Sequence, residues 1–271
     1  ISLGTDSTLW MATRDRGLVH YWLTDSHYES MNRQQGLCDD GFSCVLQAKD
    51  GSVWAGSNRS GISRLMGTQV KNYHMGAGLS DNHVQALTED IFGNIWIGTK
   101  NGGLHCYSAK TGEISTFNRS NGKLPSNNVT SIHSRKNQLL VGTGNGIVLA
   151  NLSRNEFKTI TSNRSASTHL TSNVVTAVYI DARGVLWVGT TEGLNLIDLQ
   201  NDNLTVFTMS SHGLPSNIIN GITSDRNNDL WVTTDAGVCC IRLLPDPKNP
   251  MLTQYAISNY TKDDGLQNEN F

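Results

Sequence analysis

Charge is scarce in this sequence. Only 16% of its 271 residues are Asp, Glu, Lys or Arg, and they nearly cancel at a net −2. Such a balance generates no field that draws in nucleic acid or an anionic membrane surface. No basic stretch is interleaved with aromatic residues, which argues further against a nucleic-acid partner. Long apolar runs are missing too: none approaches the roughly 20 residues needed to cross a bilayer. The segment is therefore expected to be soluble and not to insert into a membrane itself, and no signal peptide opens it. Helical periodicity is absent, since no sustained i, i+3, i+4, i+7 stripe occurs. The five cysteines have no metal-ligand spacing. Cys38 and Cys44 lie near enough in sequence to pair or to remain free thiols, while the adjacent Cys239 and Cys240 should face opposite sides of a strand. Seven Asn-x-Ser/Thr sequons are scattered through a chain rich in those residues, as chance would place them.

What the sequence has instead is repetition. GNIWIGTKNGGL at residues 93 to 104 reads as a turn, an apolar strand around Trp96, a second turn ending at Gly103, and a new strand. The phrase recurs around Trp10, Trp54, Leu140, Trp187 and Trp231, with spacings of 44, 42, 44, 47 and 44 along the six anchors. A period in the forties that covers nearly the whole chain indicates one array of repeats over residues 1–271. In the repeat beginning near Leu124, four short apolar segments alternate with polar turns. Repeated six times, this pattern predicts an all-β fold, a β-propeller of four-stranded antiparallel blades.

The recurring residues have structural reasons. Segments such as WIG, WVG and WAG are apolar throughout, as expected of strands covered on both faces. The Trp supplies large buried area and an indole N–H that needs a partner. Gly56, Gly98, Gly142 and Gly189 are expected to admit a close backbone approach. Gly17, Gly61, Gly103, Gly146, Gly193 and Gly237 end the turn between second and third strands, where positive φ is expected. They recur in every repeat and no helix follows, so they are not phosphate-binding glycines. Ile1 falls partway into a first strand, and GLQNENF, ending at Phe271, matches the loops that open other blades. Either six blades close the ring or this is part of a seven-bladed one. Three departures stand out: a polar segment from Thr24 to Gln35, a long loop from Thr161 to Asn173, and LPDPKNP at 244–250.

The combination of LPSNxV, a turn, LWVGT and xxGL, as at 124–147, 170–194 and 214–238, resembles the two-component regulator propeller repeat. The resemblance implies the periplasmic sensor of a hybrid two-component receptor of gut bacteria that detects glycans. It implies an oligosaccharide ligand, neighbouring propeller and stalk domains, and a homodimer in the whole receptor. It also implies a histidine kinase across the inner membrane, beyond this segment, with oligosaccharide binding shifting the arrangement of the domains.

Loops joining outer to inner strands and second to third strands should share one face, where propellers commonly bind ligands. The second-to-third turns place Arg14, Arg16, Arg59, Lys100, Asn101, Asn145, Glu192 and Asp235 there as ligand-binding candidates. In the first three repeats the step from Thr or Ser to Gly is four residues and the turns carry four cations; in the last three it is three residues, with Glu192 and Asp235. A cationic patch of Arg14, Arg16, Arg59 and Lys100 suits a saccharide bearing acidic groups, because guanidinium holds carboxylate or sulfate bidentately. Ordinary solvated loop charges explain the same residues. The long loop from Thr161 to Asn173, with Asn163 and Arg164, either covers that face or is a disordered surface loop. No catalytic set, metal site or cofactor motif is found. A lyase would use His and Glu, and His83, His169 and His212 fall in outer-to-inner loops, but no His/Glu pair recurs at a fixed offset. Asp225-x-Asn227-x-Asp229 lacks the Gly and distal Glu of a calcium loop. The remaining class is a protein-interaction scaffold.

Overall fold

Six four-stranded antiparallel sheets follow one another along the chain, each with its strands in sequence order. The structure is a computed structural model that describes residues 1–4, 7–163, 169–199, 203–244 and 254–268. Arg164, residues 245–250 of the Pro-rich segment, and Phe271 lie outside the described residues. The first sheet comprises Ser2–Leu3, Thr8–Ala12, Leu18–Trp22 and Tyr28–Met31; the third comprises Val84–Glu89, Ile95–Thr99, Leu104–Tyr107 and Ile114–Phe117. Among the described residues helix is confined to three short turns, at Arg33–Gln35, Met209–His212 and Lys262–Asp264. The architecture is the expected all-β propeller type. By internal contacts the chain divides into two units, residues 1–139 with 151–155, and residues 140–150 with 156–271.

In the first unit, Trp10, Leu18, Phe42, Val45 and Val53 form one core between the first and second sheets. Trp54, Ile62, Tyr73, Val84, Ile95 and Ile97 form the next. In the second unit, Leu140, Ile147, Val175, Leu186 and Val188 form one core; Trp187, Phe207, Ile219, Val232 and Cys239 form another. The second strands at Val53–Ser57, Ile95–Thr99 and Leu186–Thr190 are buried along their full length, which is why their sequence is apolar without alternation.

Most of the repeated phrase proves to be hydrogen-bond accounting. The indole N–H of Trp96, Trp187 and Trp231 donates to Asp90, Asp181 and Asp225, six residues earlier, at 2.8, 3.2 and 3.1 Å. The other carboxylate oxygen of each Asp accepts two backbone N–H groups of its own turn. Asp225-x-Asn227-x-Asp229 is thus one of these Asx-turns. Thr99, Thr143, Thr190 and Thr234 close the next turn by donating to the carbonyl of the turn-ending Gly at 2.7–2.9 Å.

The loops that open each blade are latched in the same repetitive way. The side chains of Asp40, Asn82, Asn127, Asn173 and Asn217 accept the backbone N–H of Arg33, Met75, Arg119, Ser162 and Met209, at 2.7–2.9 Å. Each donor lies just past the preceding blade's outer strand. The carbonyls of Asp40, Asn82, Asn127 and Asn173 accept the N–H of Gly17, Gly61, Gly103 and Gly146. One residue earlier, Asp39, Asp81, Ser126, Ser172 and Ser216 each accept the N–H two positions on.

The next N–H back is met from the third strand. Ser63, His105 and Asn195 accept from Cys38, Ser80 and Thr171 at 2.9, 2.9 and 3.0 Å. Where the corresponding third-strand residue is Val148 or Cys239, the loop residue is Pro125 or Pro215, which has no N–H to satisfy.

The turn-ending glycines behave as expected: Gly17, Gly61, Gly103, Gly146, Gly193 and Gly237 all have positive φ. For Gly56, Gly98 and Gly189 the expectation needs correction. The group that comes close is the Val84, Val129 or Ile219 side chain of the next blade, not backbone. All five cysteines are free thiols, so Cys38 and Cys44 are not paired.

Three outcomes follow from these contacts. Gly103 has φ +93° and a Cβ there would overlap the Phe117 carbonyl, whereas Gly184 has φ +87° with open space around it. Replacing Gly184 with Ala should cost about 1–2 kcal/mol from backbone strain alone. Gly103→Ala should cost about 3 kcal/mol or more in denaturant titrations; equal losses would contradict the close-approach account.

Asn195→Val strands the Thr171 N–H and should lose about 2 kcal/mol. Adding Thr171→Pro should recover part of that, and additive losses in the double-mutant cycle would refute the pairing.

Burial pushes the His105 imidazole down to about 4, with smaller opposing contributions from the Ile97 backbone and Asp81. The folded state thus favours neutral His105, so its contribution is complete above the unfolded value of 6.5 and is lost as pH falls towards 4. Stability should decline by roughly 3 kcal/mol across that window. His105→Asn, the residue at the matching position 195, should flatten the decline; an unchanged slope would exclude His105 as its source.

Candidate functional site

The first unit holds an open cleft of about 470 Å³ lined by Arg14, Asp15, Arg33, Asp39, Asp40, Gly41, Arg59 and Ser60. Arg14 and Asp15 project from the turn after Thr8–Ala12, which Thr13 stiffens by donating to the Gly17 carbonyl and accepting the Arg16 N–H. Arg59 and Ser60 project from the matching turn of the second blade, where Ser57 accepts both their N–H groups. Arg33 begins the short turn Arg33–Gln35, held by a reciprocal Asn32–Gln35 capping box and ended by Gly36 at φ 94°. Asp39, Asp40 and Gly41 belong to the loop that opens the second blade. The two kinds of loop therefore do share a face here, and the N–H of Phe42 donates to the Thr13 carbonyl at 2.8 Å.

Asp39 organises the cleft. It is 2% exposed, yet it is a carboxylate on a loop. Its Oδ2 accepts from the Ser60 hydroxyl at 2.8 Å; its Oδ1 accepts the Asp40 N–H at 2.9 Å and an Arg33 guanidinium N–H at 3.3 Å. The Arg59 guanidinium stands 4.0 Å from the same oxygen. Burial by itself raises the Asp39 pKa, but Ser60, the Asp40 and Gly41 N–H groups and Arg33 together hold it below its ordinary value. Asp39 is ionised near neutral pH and holds the Arg33 guanidinium, with that of Arg59 close by the same oxygen.

Of the sequence candidates, the structure brings Arg14 and Arg59 together and leaves Arg16, Lys100 and Asn101 outside the cleft lining. Lys100 and Asn101 are exposed on the third blade's turn, their backbone N–H groups donating to the His83 carbonyl and to Asp81. Asn145, Glu192 and Asp235 are exposed on turns of the second unit. Sequence reasoning missed Arg33 and Asp39. The signal for Arg33 was the polar segment from Thr24 to Gln35, and for Asp39 the pair Asp39-Asp40 where the next crossing carries Asp81-Asn82 and the three after it carry Ser-Asn. The cleft is also not the cationic patch expected, because Asp15, Asp39 and Asp40 balance its three arginines.

His83, His169 and His212 are all half-buried, and His212 shares a 2.7 Å hydrogen bond with Ser211. Among the described residues no three His, Cys, Asp or Glu side chains converge as metal ligands, and no helix is long and apolar enough to cross a membrane.

Comparison with known proteins supports the repeat and the fold. No curated protein sequence matches the chain. Solved structures do. One extracellular domain assigned to a hybrid two component system of B. thetaiotaomicron superposes with a TM-score of 0.73 at 18% identity over 100% of this chain and 36% of its own length. Another from the same organism gives 0.53 at 20%, over 91% of this chain and 41% of that one. The chain thus spans well under half of these domains. Virginiamycin B lyase from Staphylococcus aureus gives 0.69 at 18% identity, over 96% of this chain and 82% of the lyase. At such identities the likeness is one of fold. The family model described as Two component regulator propeller matches residues 78–101, 169–192 and 213–236, each containing a blade-opening loop and the Trp strand. The chain carries two-component regulator propeller repeats.

Proposed function

We propose that this chain is a ligand-sensing propeller from the extracytoplasmic, periplasmic part of a hybrid two-component receptor. It binds oligosaccharide at the loop face and passes the signal to a histidine kinase in the rest of the polypeptide. The observation that carries the reading is the cleft of Arg14, Arg33, Arg59 and Ser60 around buried Asp39, set on repeats of the two-component regulator type. Polar donors and acceptors fixed by backbone-anchored turns are what saccharide hydroxyls require, since little ordering remains to be done on binding. In the whole receptor, adjoining propeller and stalk domains of a homodimer would convert occupancy into a shift between two arrangements, limited by the ligand's differential affinity for them.

A second reading, a lyase acting on a polysaccharide or cyclic peptide, is favoured only by the fold shared with virginiamycin B lyase. Metal-dependent turnover of such a substrate would establish it.

A thermal-shift screen of an oligosaccharide library should find a ligand that, at 100 times its dissociation constant, stabilises the chain by about 2.7 kcal/mol. Arg14→Ala combined with Arg59→Ala should weaken that ligand at least tenfold, while Arg16→Ala, outside the cleft, should leave it within twofold. Undiminished binding to the double variant would remove the cleft from the proposal. The absence of any glycan-dependent shift would favour a protein-interaction scaffold.

A further inference from the structure

The cleft's charge balance says what its occupant carries. Asp39 is spent internally, holding Ser60, two loop N–H groups and Arg33. Asp40 uses Oδ1 on the Arg33 N–H. Among the described residues, the Arg14 guanidinium and the Asp15 carboxylate have no hydrogen bond or ion pair, and Arg59 has only the 4.0 Å approach to Asp39. The lining therefore offers two under-used cations, Arg14 and Arg59, beside two under-used anions, Asp15 and Asp40.

A neutral saccharide filling this space would desolvate two guanidiniums without giving them an anion. A polysulfated one would bring several negative charges against Asp15 and Asp40. One carboxylate with hydroxyls around it meets both demands, accepting from the arginines in their planar fork geometry while the hydroxyls donate to the aspartates. We infer that the cleft takes a uronic-acid residue of an oligosaccharide, its carboxylate on Arg14 and Arg59 and its hydroxyls on Asp15 and Asp40. This rests on the oligosaccharide reading above and narrows its ligand to a carboxylated, unsulfated class.

Titration calorimetry on the 271-residue chain tests it, using trisaccharides of galacturonic, glucuronic and mannuronic acid, their methyl esters, neutral counterparts and a heparin-derived tetrasaccharide. At least one uronate should bind, and its methyl ester should bind at least tenfold more weakly. Arg14→Ala with Arg59→Ala should erase that difference. Asp15→Asn with Asp40→Asn should weaken the uronate and strengthen the sulfated probe. The fold should survive this change, because Asn already stands at the position of Asp40 in later repeats, accepting the same kind of backbone N–H. Equal binding of acid and ester, or tighter binding of neutral or sulfated sugars, overturns the uronate assignment and leaves the oligosaccharide reading standing. If no saccharide of any class binds, both fall.

Discussion

Everything in this chain depends on how the loop that opens each blade disposes of its backbone N–H groups. A four-stranded blade satisfies its own ladder, but the chain must then cross from an outer strand to the next inner strand, and that crossing is where polar backbone would be left without partners. Three consecutive loop positions solve it. The first N–H meets a third-strand side chain or is removed by proline. The second position closes a local turn, and the third accepts from the end of the previous blade. Packing then follows: the loops fix where Val84, Val129 and Ile219 lie, and these side chains fill the space that Gly56, Gly98 and Gly189 leave open.

The same rigidity fixes the turns and loop that line the cleft. Arg14 and Arg59 are held through backbone-anchored turns, and Asp39 occupies the position that Ser126, Ser172 and Ser216 occupy in later repeats. In the later repeats that position closes a local turn. In the first two crossings it is a carboxylate: Asp81 closes its turn and accepts the Asn101 N–H, whereas Asp39 closes its turn and also collects two arginines and a serine. A scaffolding position thus gains a second set of polar partners through one side chain's reach and charge.

The blades and the turn glycines were legible in the sequence because each is a local consequence repeated six times. The turns at Gly103 and Gly193 have the positive φ their residue type implied. The cleft was legible only in half. Arg14 and Arg59 were visible because matching turns align, but Arg33 stands where later repeats carry Met75, Arg119, Ser162 and Met209, a position used for its backbone N–H and with no common side chain, and the burial of Asp39 depends on a fold-level contact with Ser60, 21 residues away. Counting cations along turns could not reveal carboxylates contributed by a different loop.

The alternation of proline with a polar third-strand partner has a consequence for how such arrays change over time. Thr171 and Asn195, like Ser80 and His105, must vary together, one member lying in the blade-opening loop and the other in the third strand of the same blade. Contacts back to the preceding repeat use mainly main-chain groups met by a nearly constant Asn. A segment cut just before the loop thus keeps this hydrogen-bonded pair together, and at the crossing it asks its neighbour for backbone groups and for the apolar face that the loop-opened strand packs on. One cut after the loop divides a coupled pair. Duplication or recombination of these repeats should therefore be tolerated in the first frame and resisted in the second.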